Sequence, residues 1–301
     1  MTRFLYIAMI FVWGGSWLAI NWQISEVSPV VSVFYRFALA AVIMFPIMKL
    51  LGKIQTVTKA DHIYFMFQGA FLFGLNFICF YYASHYLVSG LMAIIFSLAT
   101  ILNVLNGYLF YREKPAPSIK WGILFGVSGL VLIFWRDLVA VELNTDMLIG
   151  VGLSFIGVYL FSLGNMVSVR HSKNGISSIT STSYAVVYGS IILFIICLIN
   201  GERFIFDFSI KYVSAWLFLG LIATIFGFTA YLNLVEKLGA SRAAYILVIT
   251  PLVALILSSI FEDYVWSLQA IAGVGFIAMG NFIVQYKKLK KPNKKMFGLD
   301  V

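Results

Sequence analysis

Acidic side chains are what this sequence has least of. Twelve Asp and Glu stand against twenty-one Lys and Arg in 301 residues, and charged residues make up only 11% of the chain while hydrophobic ones make up 61%. A soluble domain carries roughly one-quarter charged residues, so that class is excluded. Cysteine is almost absent, and Cys79 and Cys197 both fall inside apolar stretches, where a thiol behaves as a small hydrophobe. No disulfide, metal site or cofactor is expected. The three histidines, His62, His85 and His171, lie at the ends of apolar segments. There is no His-Glu-x-x-His, Gly-x-Ser-x-Gly or P-loop pattern, and no nucleophile or base at depth. Catalytic residues are therefore not expected. Phe4 to Ile20 lacks a small-residue cleavage site and is followed by further apolar segments, so it is expected to remain as a span.

What is present is a series of continuous apolar runs. Backbone N–H and C=O groups in hydrocarbon must be paired within the segment, which selects helices when the runs do not alternate. With about twenty residues needed to cross, ten spans are predicted: 4–24, 30–49, 62–84, 87–110, 119–135, 147–168, 178–199, 212–235, 242–261 and 268–286. The fold class is an all-α membrane protein. The net charge of +9 resides between spans and in the tail, where it sets topology and does not imply a nucleic-acid partner. Lys53, Lys59, Arg112, Lys114, Lys120, Arg170, Lys173 and the Lys-rich tail fall on one side of the bilayer, against Arg136, Arg203 and Lys211 on the other. Positive loops stay cytoplasmic, so both termini are expected inside a bacterial-type inner (plasma) membrane.

The stretch Leu87 to Gly129 recurs as Leu238 to Gly280 under one shift of 151 positions, pairing Ala93 with Ala244, Phe110 with Phe261, Gly122 with Gly273 and Gly129 with Gly280. Both copies break into polar residues at the same place, Tyr111-Arg112-Glu113-Lys114 and Glu262-Asp263-Tyr264. This divides the chain into a first repeat at 1–137, a second at 146–286 and a basic cytoplasmic tail at 287–301. Five spans per repeat is an odd number, so the second repeat is expected to be inverted, a construction common among secondary transporters.

Within the predicted spans no Asp or Glu lies outside a terminal turn, so a proton relay through a buried carboxylate is not expected. Arg36 is the one basic residue inside a span, about 9 Å along its helix. A structural or gating role at the outer mouth is the preferred reading, with direct contact to substrate the alternative. Neutral polar groups are more frequent near mid-span: Ser16, Asn21, Asn76, Asn103, Asn106, Asn165 and Thr224. Each is satisfied most simply by bonds between helices, but as a group they call for a polar-lined interior. The candidate substrate cavity comprises Trp13, Ser16, Trp17, Asn76, Tyr82, Tyr159, Asn165 and Tyr245. An aromatic and amide lining suits a neutral or zwitterionic molecule with an apolar body.

Val12-Trp13-Gly14-Gly15-Ser16-Trp17, then Ser28-Pro29 and Tyr35-Arg36-Phe37, resembles the opening of the EamA family of the drug/metabolite transporter superfamily. Glu113 and Gly122 resemble the end of that family's first repeat, Pro251 and Gly273 that of the second. The chain departs from the family at Thr100, where a proline is usual, and at Tyr264, where a glutamate is usual, with acids displaced to Glu262 and Asp263. The resemblance implies a ten-helix, two-repeat exporter-like carrier of small metabolites, often amino acids, without setting the substrate; the sequence leaves the oligomeric state open, a monomer being compatible with it. A multidrug exporter and a non-transporting protein such as a lipid scramblase are the alternatives.

Overall fold

The computed structural model describes residues 2–135, 145–238 and 245–289. Among the described residues every regular element is helical. In chain order these are α1 (Thr2–Asn21), α2 (Pro29–Leu50), α3 (Lys59–Ala70), α4 (Asn76–Ala83), α5 (Ser89–Phe96), α6 (Ala99–Tyr111), α7 (Ile119–Ile133), α8 (Thr145–Lys173), α9 (Ser178–Ile199), α10 (Ile210–Leu217), α11 (Gly227–Leu238), α12 (Tyr245–Phe261) and α13 (Leu268–Leu289). A π-helical turn, Phe71–Leu75, joins α3 to α4, and another, Phe218–Phe226, joins α10 to α11. Seven helical rods are long and apolar enough to cross a membrane: Phe4–Asn21, Pro29–Leu50, Lys59–Ala83, Ser89–Tyr111, Thr145–Lys173, Ser178–Ile199 and Ile210–Tyr231. Three shorter apolar helices accompany them, Ile119–Ile133, Ile249–Phe261 and Leu268–Val284.

Local sequence explains where these rods begin and stop. Ser28 precedes Pro29 and caps α2 through Val31 N–H, with the proline at a position whose missing donor costs nothing. Ser177 and Ser209 cap α9 and α10 in the same way. Arg112 and Asp263 end α6 and follow α12 with φ of 56° and 54°. Left-handed backbone is uncommon outside glycine, yet these two positions are separated by 151 residues, the shift that aligns the two copies. The surface between the ends is apolar: Val42, Leu124, Val127 and Ile195 stand exposed, as lipid-facing side chains do.

The tightest helix contact lies between α7 and α13, the two glycine-bearing helices. A Cβ on Gly129 would sit 2.6 Å from the Gly273 carbonyl oxygen, and one on Gly273 would sit 2.5 Å from that of Gly129. One turn and more away, a Cβ on Gly280 would meet the Gly122 carbonyl oxygen at 3.0 Å. The two backbones thus run antiparallel in direct contact, a packing open only to small residues. Gly69 and Gly189 make a second such contact, between α3 and α9.

Gly129→Ala is expected to lower the melting temperature of the detergent-solubilised protein by several degrees. Gly275→Ala, with open space around its Cβ, should leave it unchanged or raise it slightly, since Ala exceeds Gly in helix propensity by about 1 kcal/mol. A thermal-shift assay compares the two.

Candidate functional site

A cavity of about 600 Å³ runs through the interior, walled by the rods that carry α1, α2, α4, α5, α6, α8, α11, α12 and α13. The lining residues follow helical spacing. From α1 come Trp13, Ser16, Trp17 and Ile20, from α8 Asn165, Ser168, Val169 and Ser172, and from α5 and α6 Phe96, Thr100, Asn103, Gly107 and Tyr111. Steps of three and four put each set on one face of its helix.

One end of the cavity is blind. Ile20, Arg36, Phe80 and Ala93 line it there, each with at most 5% of its surface exposed. Trp17 meets Phe80 edge-on with centroids 5.1 Å apart and Phe96 at 5.2 Å, and Phe96 meets Phe161 at 4.6 Å. Beyond this wall the protein is closed by hydrogen bonds. Glu262 accepts from the Ser89 N–H at 3.0 Å and from the Ser89 hydroxyl at 2.5 Å, placing a carboxylate on the N-terminus of α5, where the helix dipole favours it. Tyr81 donates to Gln23 Oε1 at 2.6 Å, and the Ser32 and Tyr212 hydroxyls lie 2.8 Å apart.

The other end is open. Glu113 and Ser172 line it and both are exposed. This is the basic end of the molecule, where Lys173 pairs with Glu113 at 3.3 Å and Arg170 with Asp61 at 2.8 Å. The Arg170 guanidinium also stacks 3.6 Å above Tyr64, and Tyr111 donates to the Met166 carbonyl at 2.6 Å. Between the two ends Asn165 donates to Asn103 at 3.3 Å, and the Trp13 indole donates to the Ala223 carbonyl at 3.2 Å. That carbonyl belongs to the π-helical turn Phe218–Phe226, whose altered ladder offers an acceptor to a neighbour.

Of the residues expected to form the cavity, Trp13, Ser16, Trp17 and Asn165 line it, and so does Arg36. Three others do not. Tyr82 and Tyr159 turn outward, 38% and 40% exposed, because they sit off the helix faces that hold Phe77 and Phe80 and that hold Phe161 and Asn165. Asn76 is fully buried away from the cavity, with neither amide atom hydrogen-bonded. The side chain of Tyr245 lies outside the described residues, although its backbone opens α12. Residues missed by sequence reasoning are mainly Phe77, Phe80, Phe96, Phe161 and Phe228. Among twenty-eight phenylalanines, spacing could have singled out only Phe161, four residues before Asn165. Asn106 and Thr224 serve packing instead: Asn106 donates to the Ser162 hydroxyl at 2.9 Å, and Thr224 donates to Leu219 O at 2.8 Å.

A bundle of apolar helices enclosing an aromatic and amide-lined cavity, sealed at one end and open at the other, is the construction of a multi-pass membrane transporter. Residues 2–135 and 148–286 match the EamA-like transporter family, and the chain belongs to that family. An uncharacterized transporter of Archaeoglobus fulgidus is 26% identical over 96% of this chain and all of its own length. Protein PagO of Salmonella typhimurium is 24% identical over 87% of this chain and 84% of its own. The uncharacterized transporter YoaV of Bacillus subtilis is 22% identical over 92% and 94%. A solved crystal structure superposes with a TM-score of 0.67 over 96% of this chain and 99% of the other at 14% identity, a likeness of fold.

Single cysteines test the one-ended access. In a Cys79→Ala, Cys197→Ala background, Thr100→Cys and Asn103→Cys are expected to react with a hydrophilic thiol reagent in detergent. Ser32→Cys, at a fully buried position beyond the blind end, should remain unlabelled under the same conditions.

Proposed function

We propose that this transporter carries small organic metabolites, of the class of amino acids and related compounds, outward by alternating access. The observation that carries this reading is the cavity itself. Its volume of about 600 Å³ falls in the range of small-molecule sites, and its aromatic walls with a few amide and hydroxyl groups suit a compact solute with an apolar body. A single opening beside a sealed opposite end is one of the two states that alternating access requires.

In this reading the ten spans form two inverted five-helix repeats, 1–137 and 146–286, followed by a basic tail at 287–301. The glycine contacts support it: under the 151-residue shift the pair Gly122 and Gly280 maps onto Gly273 and Gly129, which is the other pair seen in contact. Two antiparallel helices that exchange in this way fit a two-fold axis lying across them. The recurring left-handed residues Arg112 and Asp263 point the same way. With both termini cytoplasmic in a bacterial-type inner membrane, the opening at the basic end faces the cytoplasm, where an exported solute loads. Reporters or single cysteines at Ile54, Ser118 and Lys291 should then report cytoplasm, and at Glu26, Glu142 and Asp207 the opposite side. A cytoplasmic result at Glu142 would break the five-plus-five division.

Transport in this reading is not coupled to protons through a membrane-embedded carboxylate. Glu113 lines the cavity only at its exposed mouth, and Glu262 is engaged by Ser89 beyond the blind end. The test is a flux screen of purified protein in proteoliposomes across amino acids and their analogues, with a proton gradient imposed at zero membrane potential. Downhill flux and exchange are expected, unaffected by a protonophore. Accumulation above equilibrium that collapses on adding the protonophore would overturn the uncoupled mechanism, and a screen without any flux would overturn transport of this class.

A further inference from the structure

Among the described residues Arg36 has no acidic partner. Its side chain is 5% exposed at the blind end of the cavity, and its Nε and Nη1 have no hydrogen-bond partner. Two aromatic rings flank the guanidinium, Phe77 at 4.4 Å and Phe37 at 4.9 Å from Cζ to centroid. The Tyr81 hydroxyl lies beside it, oriented by its own bond to Gln23. By contrast Asp61, near the surface of the basic end, is matched by Arg170 at 2.8 Å. Arg36 is thus a fixed positive charge facing a cavity, held by ring faces and one hydroxyl.

An unpaired buried charge with open donors is among the costliest arrangements in a protein interior. Rings and a phenol soften that cost without cancelling the charge. A snorkelling arginine would instead carry its head to the interface, and this one is sealed from the outer side by the Ser89–Glu262 and Ser32–Tyr212 contacts. The free guanidinium donors suit a carboxylate, an anion with two acceptor oxygens.

We propose that Arg36 anchors the carboxylate of the transported solute, and that the recognised class is the small monocarboxylate with an apolar or aromatic body. The proposal rests on the transport reading and narrows it. The carboxylate meets the free donors of Arg36 while Trp17, Phe80 and Phe96 receive the body. One fixed positive charge is matched by one negative charge. An α-ammonium group is not required, because the acid that lines the cavity, Glu113, stands at the opposite, exposed end.

Isothermal titration of the full-length protein in detergent tests this with three probes: 3-phenylpropanoate, 3-phenylpropanamide and phenylalanine. The propanoate should bind at least tenfold more tightly than the amide and at least as tightly as phenylalanine. In Arg36→Gln the difference between acid and amide should vanish, and Arg36→Lys should restore only part of it. Equal binding of acid and amide by the unmodified protein overturns the proposal without relying on any variant's folding, as does an acid preference that survives Arg36→Gln or no binding of the acid at millimolar concentration. A tenfold preference for phenylalanine over the propanoate would overturn the monoanion class. Flux of other solutes alongside equal acid and amide binding would sink the anchor and leave transport standing. Acid binding without flux in proteoliposomes would sink transport and leave the anchor.

Discussion

Every polar group in this protein's apolar interior must find a partner inside the chain, because hydrocarbon supplies none. The hydroxyls meet the requirement locally: Ser16, Ser84 and Ser97 donate to carbonyls three residues back, and Thr229, Thr250 and Ser259 to carbonyls four back. Amides need a neighbouring helix, and so Asn106 reaches Ser162 and Asn165 reaches Asn103. The π-helical turn at Phe218–Phe226 is satisfied from both sides, by Thr224 from within and by Trp13 from α1. Against this background the unsatisfied groups stand apart. Some, such as Ser154 and Asn76, are neutral and sit in packed contacts; Arg36 is charged and faces the cavity. Distinguishing these kinds of exception is what turns a polar inventory into a site.

Helix packing obeys a second constraint. Lipid is as apolar as leucine, so burying leucine against leucine does little to drive association in a membrane. Direct backbone approach between α7 and α13 supplies dispersion contacts that larger residues would hold apart, which is why Gly122, Gly129, Gly273 and Gly280 lie at the contact while Gly275 does not. These two helices come from opposite copies of the repeated stretch. Their contact therefore joins the halves of the chain at a place where either substituent of any size would separate them.

Helix positions were legible in the sequence because long apolar runs admit little else, and the glycine and polar breaks carried the repeat. Helix lengths were less so: α8 runs to Lys173, past the apolar limit near residue 168, because nothing breaks the helix until Gly175 with its positive φ. The cavity was legible on α1, where Trp13, Ser16 and Trp17 mix aromatic and polar character on one face. It was illegible on α4, where Phe77, Phe80 and Tyr82 are chemically alike and only rotation about the helix separates wall from lipid face. Arg36 was visible as an anomaly, but its depth could not be read from residue spacing. Its burial among the residues that line the blind end places it on the cavity.

The departure at Tyr264 acquires a physical meaning from the same seal. With the acid displaced to Glu262, the carboxylate reaches the N-terminus of α5 and accepts a charge-assisted pair of bonds from Ser89 beyond the blind end. The 151-residue shift maps these two residues onto Tyr111 and Ala240, a pair without a carboxylate. Under an inverted-repeat reading the two ends therefore differ in chemistry: the blind end holds a carboxylate on Ser89, while the acids at the basic end, Glu113 and Asp61, pair with Lys173 and Arg170. In a carrier with no coupling ion, the balance between its two states rests on such differences in contact. That balance moves only as far as the solute's own differential affinity for the two states allows.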